Sequence, residues 1–173
     1  STQGYTANVS YSQPWATVVV FKSDGHNSNQ MIWNQGEGSS SGNDNLFVNV
    51  TASGNVNFGW GREGVGYNQC RIATSISSST WYAVYVAHSG ARYSAGNATA
   101  TNLANAFDIR VMSSADSFGA LSSNLSTTSN WNQTGVRMSR TFAGDFTVGG
   151  RNATVPYSYR GKVASMLVHC LRL

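Results

Sequence analysis

Two glutamates stand beside tryptophans in glycine-rich surroundings: Glu37 in Trp33-Asn-Gln-Gly-Glu-Gly38 and Glu63 in Trp60-Gly-Arg-Glu-Gly64. An indole next to an acid is an arrangement that a sugar-cleaving site would use, because the ring packs on sugar C–H groups while the carboxyl moves a proton. Hydrolysis needs two such carboxyls facing each other, roughly 5 to 9.5 Å apart. The chain has only seven acids, and both glutamates lie in segments that read as solvated loops. Glycoside hydrolysis is therefore the weaker reading. A polysaccharide lyase would need a His or Tyr base with Arg or Gln neutralising a uronate. Arg62, Tyr67, Gln69, His88 and Tyr157 supply those types, as would most tyrosine-rich chains of this kind. No catalytic residue is assigned.

Binding is better supported than catalysis. Five Trp and eight Tyr exceed what a core of this size needs. Aromatic faces stack on pyranose rings, while Asn, Gln and carboxylates hydrogen-bond to hydroxyls. Trp33, Asn34, Glu37, Trp60, Arg62, Glu63 and Tyr67 gather in and around two neighbouring loops and form the expected ligand-binding set. The competing reading is that Trp33 and Trp60 cap the ends of the core. Tyr157-Ser-Tyr-Arg160 places Tyr157 and Tyr159 in a second candidate, with packing at a turn as its alternative. His169 alternates with Leu167 and Leu171 and reads as a sheet histidine.

The elements that must position these residues are strands. At 173 residues the chain is one domain long, and only 10% of residues are charged, so Ser, Thr, Asn, Gly and Gln must build its polar surface. Period-2 runs are expected at Ala7–Ser10, Ala16–Lys22, Gln30–Asn34, Asn45–Thr51, Asn55–Gly59, Cys70–Thr74, Trp81–His88, Asp108–Met112, Phe146–Gly149 and Gly161–Leu171. Only Ala100–Ala106 reads as a helical turn. Leu46 to Trp60 forms the clearest hairpin, with Thr51–Asn55 as its turn. Its outward residues Asn45, Asn49, Asn57 and Gly59 suggest a half-solvated sheet. Trp81–Ala87 and Val163–Val168 are apolar in both parities and are expected to be central strands covered on two sides. Long loops are expected at Asp24–Asn29, Gly36–Asp44, Gly61–Asn68, Gly90–Ala98, Ser113–Gly135 and Arg151–Tyr159.

The net charge of +4 comes from nine Arg and two Lys scattered along the chain. There is no basic run, so a nucleic-acid footprint is not expected, although the charge favours an acidic polysaccharide or anionic surface. The longest apolar run, Ala16 to Phe21, is strand-length, and no membrane insertion is expected. Ser1 is not a signal-peptide start, which fits removal of a leader or an initiator Met, or trimming. Cys70 and Cys170 could form one long-range disulfide or remain two buried thiols; the lack of framework spacing favours the thiols. The sequons at Asn8, Asn49, Asn97, Asn124, Asn132 and Asn152 are what so much Asn, Ser and Thr produces by chance.

Two stretches carry a resemblance. Ser79-Thr-Trp-Tyr-Ala-Val-Tyr-Val-Ala-His-Ser-Gly90 resembles the Trp-led central strand of laminin-G-like members of the concanavalin A-like lectin and glucanase superfamily. Phe146-Thr-Val-Gly-Gly-Arg151 followed by Tyr159-Arg-Gly-Lys-Val-Ala-Ser-Met-Leu-Val168 is similar to that family's ending. The resemblance implies a single all-β, two-sheet antiparallel sandwich, or jelly roll, over residues 1–173, with the last strand returning beside the first. Val163, Leu167 and Leu171 would then be buried in the core. Ser165 stands where the family often has an acid, and no matched Asp pair for the relatives' calcium is visible, so no cofactor is expected.

The expected function is a non-catalytic carbohydrate-binding or adhesion module that reads a glycan or cell-surface polysaccharide through its rim loops. Its expected location is extracellular or on a surface or virion. A viral or phage coat or decoration protein, assembling as a homo-oligomer or in a larger surface or virion structure, is the second class.

Overall fold

Alternation at a period of two sets the architecture. In the computed structural model, described over residues 14–36, 45–62, 66–73, 76–90, 106–116, 131–132, 146–149 and 159–170, the opening strand β1 (Trp15–Ser23) buries every odd residue. Nine more strands follow: β2 (Gln30–Gly36), β3 (Asn45–Val50), β4 (Val56–Arg62), β5 (Gly66–Ala73), β6 (Trp81–His88), β7 (Phe107–Ser113), β8 (Trp131–Asn132), β9 (Phe146–Val148) and β10 (Gly161–Cys170). A 3-10 turn at Ser114–Asp116 follows β7. The expected strand at Ala7–Ser10, and all of the expected helical turn except Ala106, lie outside the described residues.

The strands form two antiparallel sheets. One has four strands in the order β10-β1-β6-β7, and the other has six in the order β8-β5-β4-β3-β2-β9. This is a jelly-roll β-sandwich, and the last strand pairs with the first along its whole length, Trp15 opposite Cys170 through Ser23 opposite Gly161. Inward side chains of both sheets meet in one core that includes Val19, Phe21, Val48, Phe58, Trp60, Val84, Val86 and Ile109. At one end Trp15, Phe58, Trp60, His88 and Phe107 make an aromatic cluster. Trp60 stacks on Phe107 (5.3 Å, 21°), and Trp15 stacks on His88 (5.9 Å, 25°).

The β3–β4 hairpin has the expected register, Leu46 opposite Trp60 and Val50 opposite Val56. Gly54, at φ 72°, donates to the Thr51 carbonyl at 2.9 Å to close its turn. Its outward face is not half-solvated as expected: Asn57 is buried, and so are Gly59 and Phe47.

Two further expectations are corrected. β10 lies at the edge of its sheet, not at the centre, and Leu167 is 62% exposed. The cause is a bulge: Val20 pairs with Ser165 and Phe21 with Val163, so Ala164 has no partner. The extra residue flips the parity. Val163 and Met166 pack on the core, and Leu167 points away from it.

The opposite end of the sandwich is tied by polar groups. Gln30, fully buried, donates its amide to the Gly25 carbonyl at 2.6 Å and accepts the Arg160 backbone N–H at 2.8 Å. Ser23 hydrogen-bonds to His26 Nδ1 at 3.2 Å, and His26 Nε2 bonds to the Ile76 carbonyl at 2.8 Å. The Ile76 carbonyl only accepts, so Nε2 carries the proton. The loop at 24–29 is thereby fixed to both sheets.

Candidate functional site

The expected rim set is divided by the structure. Trp60 (0% exposed) and Trp33 (1%) lie in the core, and Asn34 is 2% exposed. Trp60 shares the inward parity of Val56 and Phe58, and the register shift between Met31 and Trp33 lets both Ile32 and Trp33 join the core. Neither indole has a face open to a sugar, so the expected stacking platform is corrected to core packing. Most of the expected loop at 61–68 is strand: Gly61 pairs with Tyr67, and Arg62 with Gly66. Register puts Gly36, Asn45, Gly61 and Tyr67 in one row at the end of the six-stranded sheet. Glu37, Glu63 and Tyr157 lie outside the described residues.

Tyr159 is half-buried, with its ring edge on Phe21 (6.2 Å, 81°) and its backbone N–H donated to the Gly149 carbonyl at 2.9 Å. Burial, and then the nearby Asp24 charge, push its phenol above the ordinary range. It supports the sheet end. His88, of the type a lyase base requires, is also buried, and its Nδ1 accepts the Gly90 N–H at 3.1 Å. The Cys70 thiol is free and buried, and burial raises its pKa to about 12. Among the described residues no cluster of three His, Cys, Asp or Glu could hold a metal ion. Among them, no helix is long and apolar enough to cross a membrane.

The outer face of the four-stranded sheet is open. Because β1 turns its odd residues inward, Ala16, Val18, Val20 and Lys22 face out. Cross-strand register then builds rows. Val18, Tyr85 and Arg110 form one, Val20, Ala83 and Met112 the next, and Ala16, Ala87 and Asp108 a third. Alanines on either side of Tyr85 leave room beside its ring. The result is a depression of about 370 Å³ lined by Val18, Ala83, Tyr85, Asp108, Arg110 and Met112.

At its edge Arg110 Nε donates to both Asp108 oxygens, at 2.9 and 3.1 Å. The hydrogen bond to Asp108 and its charge raise the Arg110 pKa further, with a smaller contribution from Tyr85. The guanidinium uses Nε for this pair, and its two Nη groups meet no acceptor among the described residues. A partly apolar hollow with one aromatic ring, a carboxylate acceptor and a fork of donors can hold a sugar by ring stacking and hydroxyl hydrogen bonds.

The composition of β6 hides this face, because the strand is apolar in both parities and so looks covered on both sides. The signal was in β7: Asp108 and Arg110 flank Ile109, a polar-apolar-polar alternation that marks a sheet with one wet face.

No protein-family model matches this chain. No curated protein matches it either. Solved structures do match. The chain is similar to the CBM40 module of the Ruminococcus gnavus IT-sialidase bound to alpha2,3 sialyllactose, with TM-score 0.57 and 15% identity over 99% of this chain and 90% of that one. It is similar to the LG1-3 region of the laminin alpha2 chain, with TM-score 0.58 and 13% identity over 96% of this chain and 30% of that one. A leech intramolecular trans-sialidase matches with TM-score 0.53 and 14% identity over 99% of this chain and 25% of that one. The chain thus spans less than a third of the laminin and leech structures. At these identities the likeness establishes the fold alone, a jelly-roll β-sandwich shared with these structures.

Proposed function

We propose that this chain is a non-catalytic carbohydrate-binding module of an extracellular or surface protein, and that it holds its glycan on the outer face of the four-stranded sheet. The observation that carries this reading is the depression around Tyr85, with the Asp108–Arg110 pair at its edge. The fold is shared with a CBM40 module bound to alpha2,3 sialyllactose, which supports a saccharide as the class of ligand. A carboxylate engaged by a guanidinium accepts hydroxyl hydrogen bonds, and the described face has no second acid opposite Asp108 to complete a hydrolytic pair.

A second location is favoured by one observation. The shared row of Gly36, Asn45, Gly61 and Tyr67 brings the segments leading to Glu37 and Glu63 to the same sheet end, with Arg62 and Tyr67 on the adjoining strands. Glycan-array binding of the wild type beside Tyr85→Ala and Tyr67→Ala separates the two locations. Loss in Tyr85→Ala alone supports the sheet face. Loss in Tyr67→Ala alone moves the site to the rim, and release of reducing ends from polysaccharides would overturn the non-catalytic reading.

A further inference from the structure

The two lysines of this chain are cross-strand partners. Lys22 on β1 pairs directly with Lys162 on β10, and Lys22 pairs on its other side with Trp81 of β6. Lys22 sits between the buried Phe21 and Ser23, so it faces outward, and Lys162 is exposed beside it. Like charges placed directly opposite each other in a sheet repel and destabilise the pairing. Among the described residues, Asp108–Arg110 is the only ion pair, so neither lysine is in an ion pair with a described carboxylate.

The surroundings add one cation and one acid. Arg160, two residues before Lys162, is exposed and reaches Asn27 Oδ1 at 3.3 Å, while Asp24 is the acid at this corner. The Lys22 ammonium stands 5.8 Å from the centroid of the Trp81 ring, a cation–π contact that holds it on the surface. Trp81 and Tyr85 share the outer parity of β6 and lie about 13 Å apart at the rise of an extended strand. The lysine row therefore adjoins the Tyr85 depression without overlapping it.

We infer that Lys22 and Lys162 form an anion subsite next to the depression, so that the ligand is an oligosaccharide bearing a carboxylate or sulfate. Its uncharged part covers Tyr85 and its acidic group lies between the two ammoniums, relieving their repulsion. Trp81 is a positioning residue for Lys22. This inference rests on the glycan-binding reading above. At physiological salt the Debye length is about 8 Å, so attraction at so exposed a site weakens as salt rises.

The test uses an array of matched neutral, hexuronate-bearing and sulfated oligosaccharides, read with the wild type, the double variant Lys22→Gln/Lys162→Gln, and Trp81→Leu. The wild type is expected to bind the anionic members at least tenfold more tightly than their neutral parents, with the advantage shrinking from low to high salt. The double variant should lose that advantage while binding neutral parents unchanged, and Trp81→Leu should lose part of it. The hexuronate and sulfated arms show which acid is preferred. Equal wild-type binding of neutral and anionic members, or an advantage that survives in the double variant, overturns the subsite and leaves the glycan-binding reading standing. Binding to no member of the array overturns both.

Discussion

The buried Gln30 side chain accepts the backbone N–H of Arg160, 130 positions further along the chain, at 2.8 Å, and its amide donates to the Gly25 carbonyl at 2.6 Å. One side chain thus joins the loop after β1 to the segment that leads into β10. Gln30→Leu keeps the volume but leaves two polar backbone groups without these partners. A buried polar group left unsatisfied costs about 1–3 kcal/mol. Urea unfolding of the variant should show a lower midpoint with an unchanged slope, and an unchanged midpoint would mean that this link contributes nothing.

Gly161 is fixed by its surroundings. Its φ is +152°, and a Cβ there would collide with the Lys22 carbonyl oxygen and come within 2.8 Å of the Tyr159 hydroxyl. Gly161→Ala should therefore destabilise the domain by more than the about 1–3 kcal/mol of backbone strain alone. A thermal melt within a degree of wild type would show that the β1–β10 end relaxes freely. At Gly25 an added Cβ would meet nothing within 4 Å, so Gly25→Ala serves as the mild control.

Cys70 supplies a pH dependence. Its thiol is raised from 9.0 to about 12 by burial, so in the folded chain it stays protonated where the unfolded chain has already released its proton. The folded-state pKa is the higher one; the associated stability is fully present below about 9 and is lost as pH rises toward 12. The loss is about 1.4 kcal/mol per pH unit once the unfolded thiol is ionised. Tyr159, also raised, acts in the same direction at higher pH. Urea midpoints at pH 8 and pH 10 should fall less in Cys70→Ala than in wild type; equal falls would contradict the burial of this thiol.

Much of the fold was legible, and for a physical reason: side-chain alternation records which face is buried. The nine strands expected from Ala16–Lys22 to Gly161–Leu171 all have counterparts within a few residues, and the pairing of last strand with first appears as the resemblance implied. What escaped is what alternation does not encode. Composition cannot say which of two apolar faces meets the core, so Trp81–Ala87 looked covered on both sides when Tyr85 lines an open hollow. A bulge changes parity without changing composition, so Leu167 looked buried. Trp33 and Trp60 looked like exposed platforms because of the Gly-rich sequence after each, yet both indoles lie in the core. The two-residue strand Trp131–Asn132 is too short to show any period.

Arg110 separates binding from stability. Its salt bridge is exposed at both ends, 39% and 38% by side chain, and such pairs contribute little. Arg110→Gln should leave the melting temperature close to wild type, while glycan affinity falls by at least several-fold. A matched loss of stability and affinity would mean that the pair is structural. Phe58→Ala, in the core and far from that face, should cost about 3–5 kcal/mol.

Amide chemical-shift mapping during titration with an oligosaccharide that the array selects shows whether an outside ligand lies on the outer face of the four-stranded sheet. Shifts should concentrate at Val18, Ala83, Tyr85, Asp108, Arg110 and Met112, and vanish in Tyr85→Ala. Shifts confined to the row of Gly36, Asn45, Gly61 and Tyr67, with β6 and β7 silent, would contradict that placement.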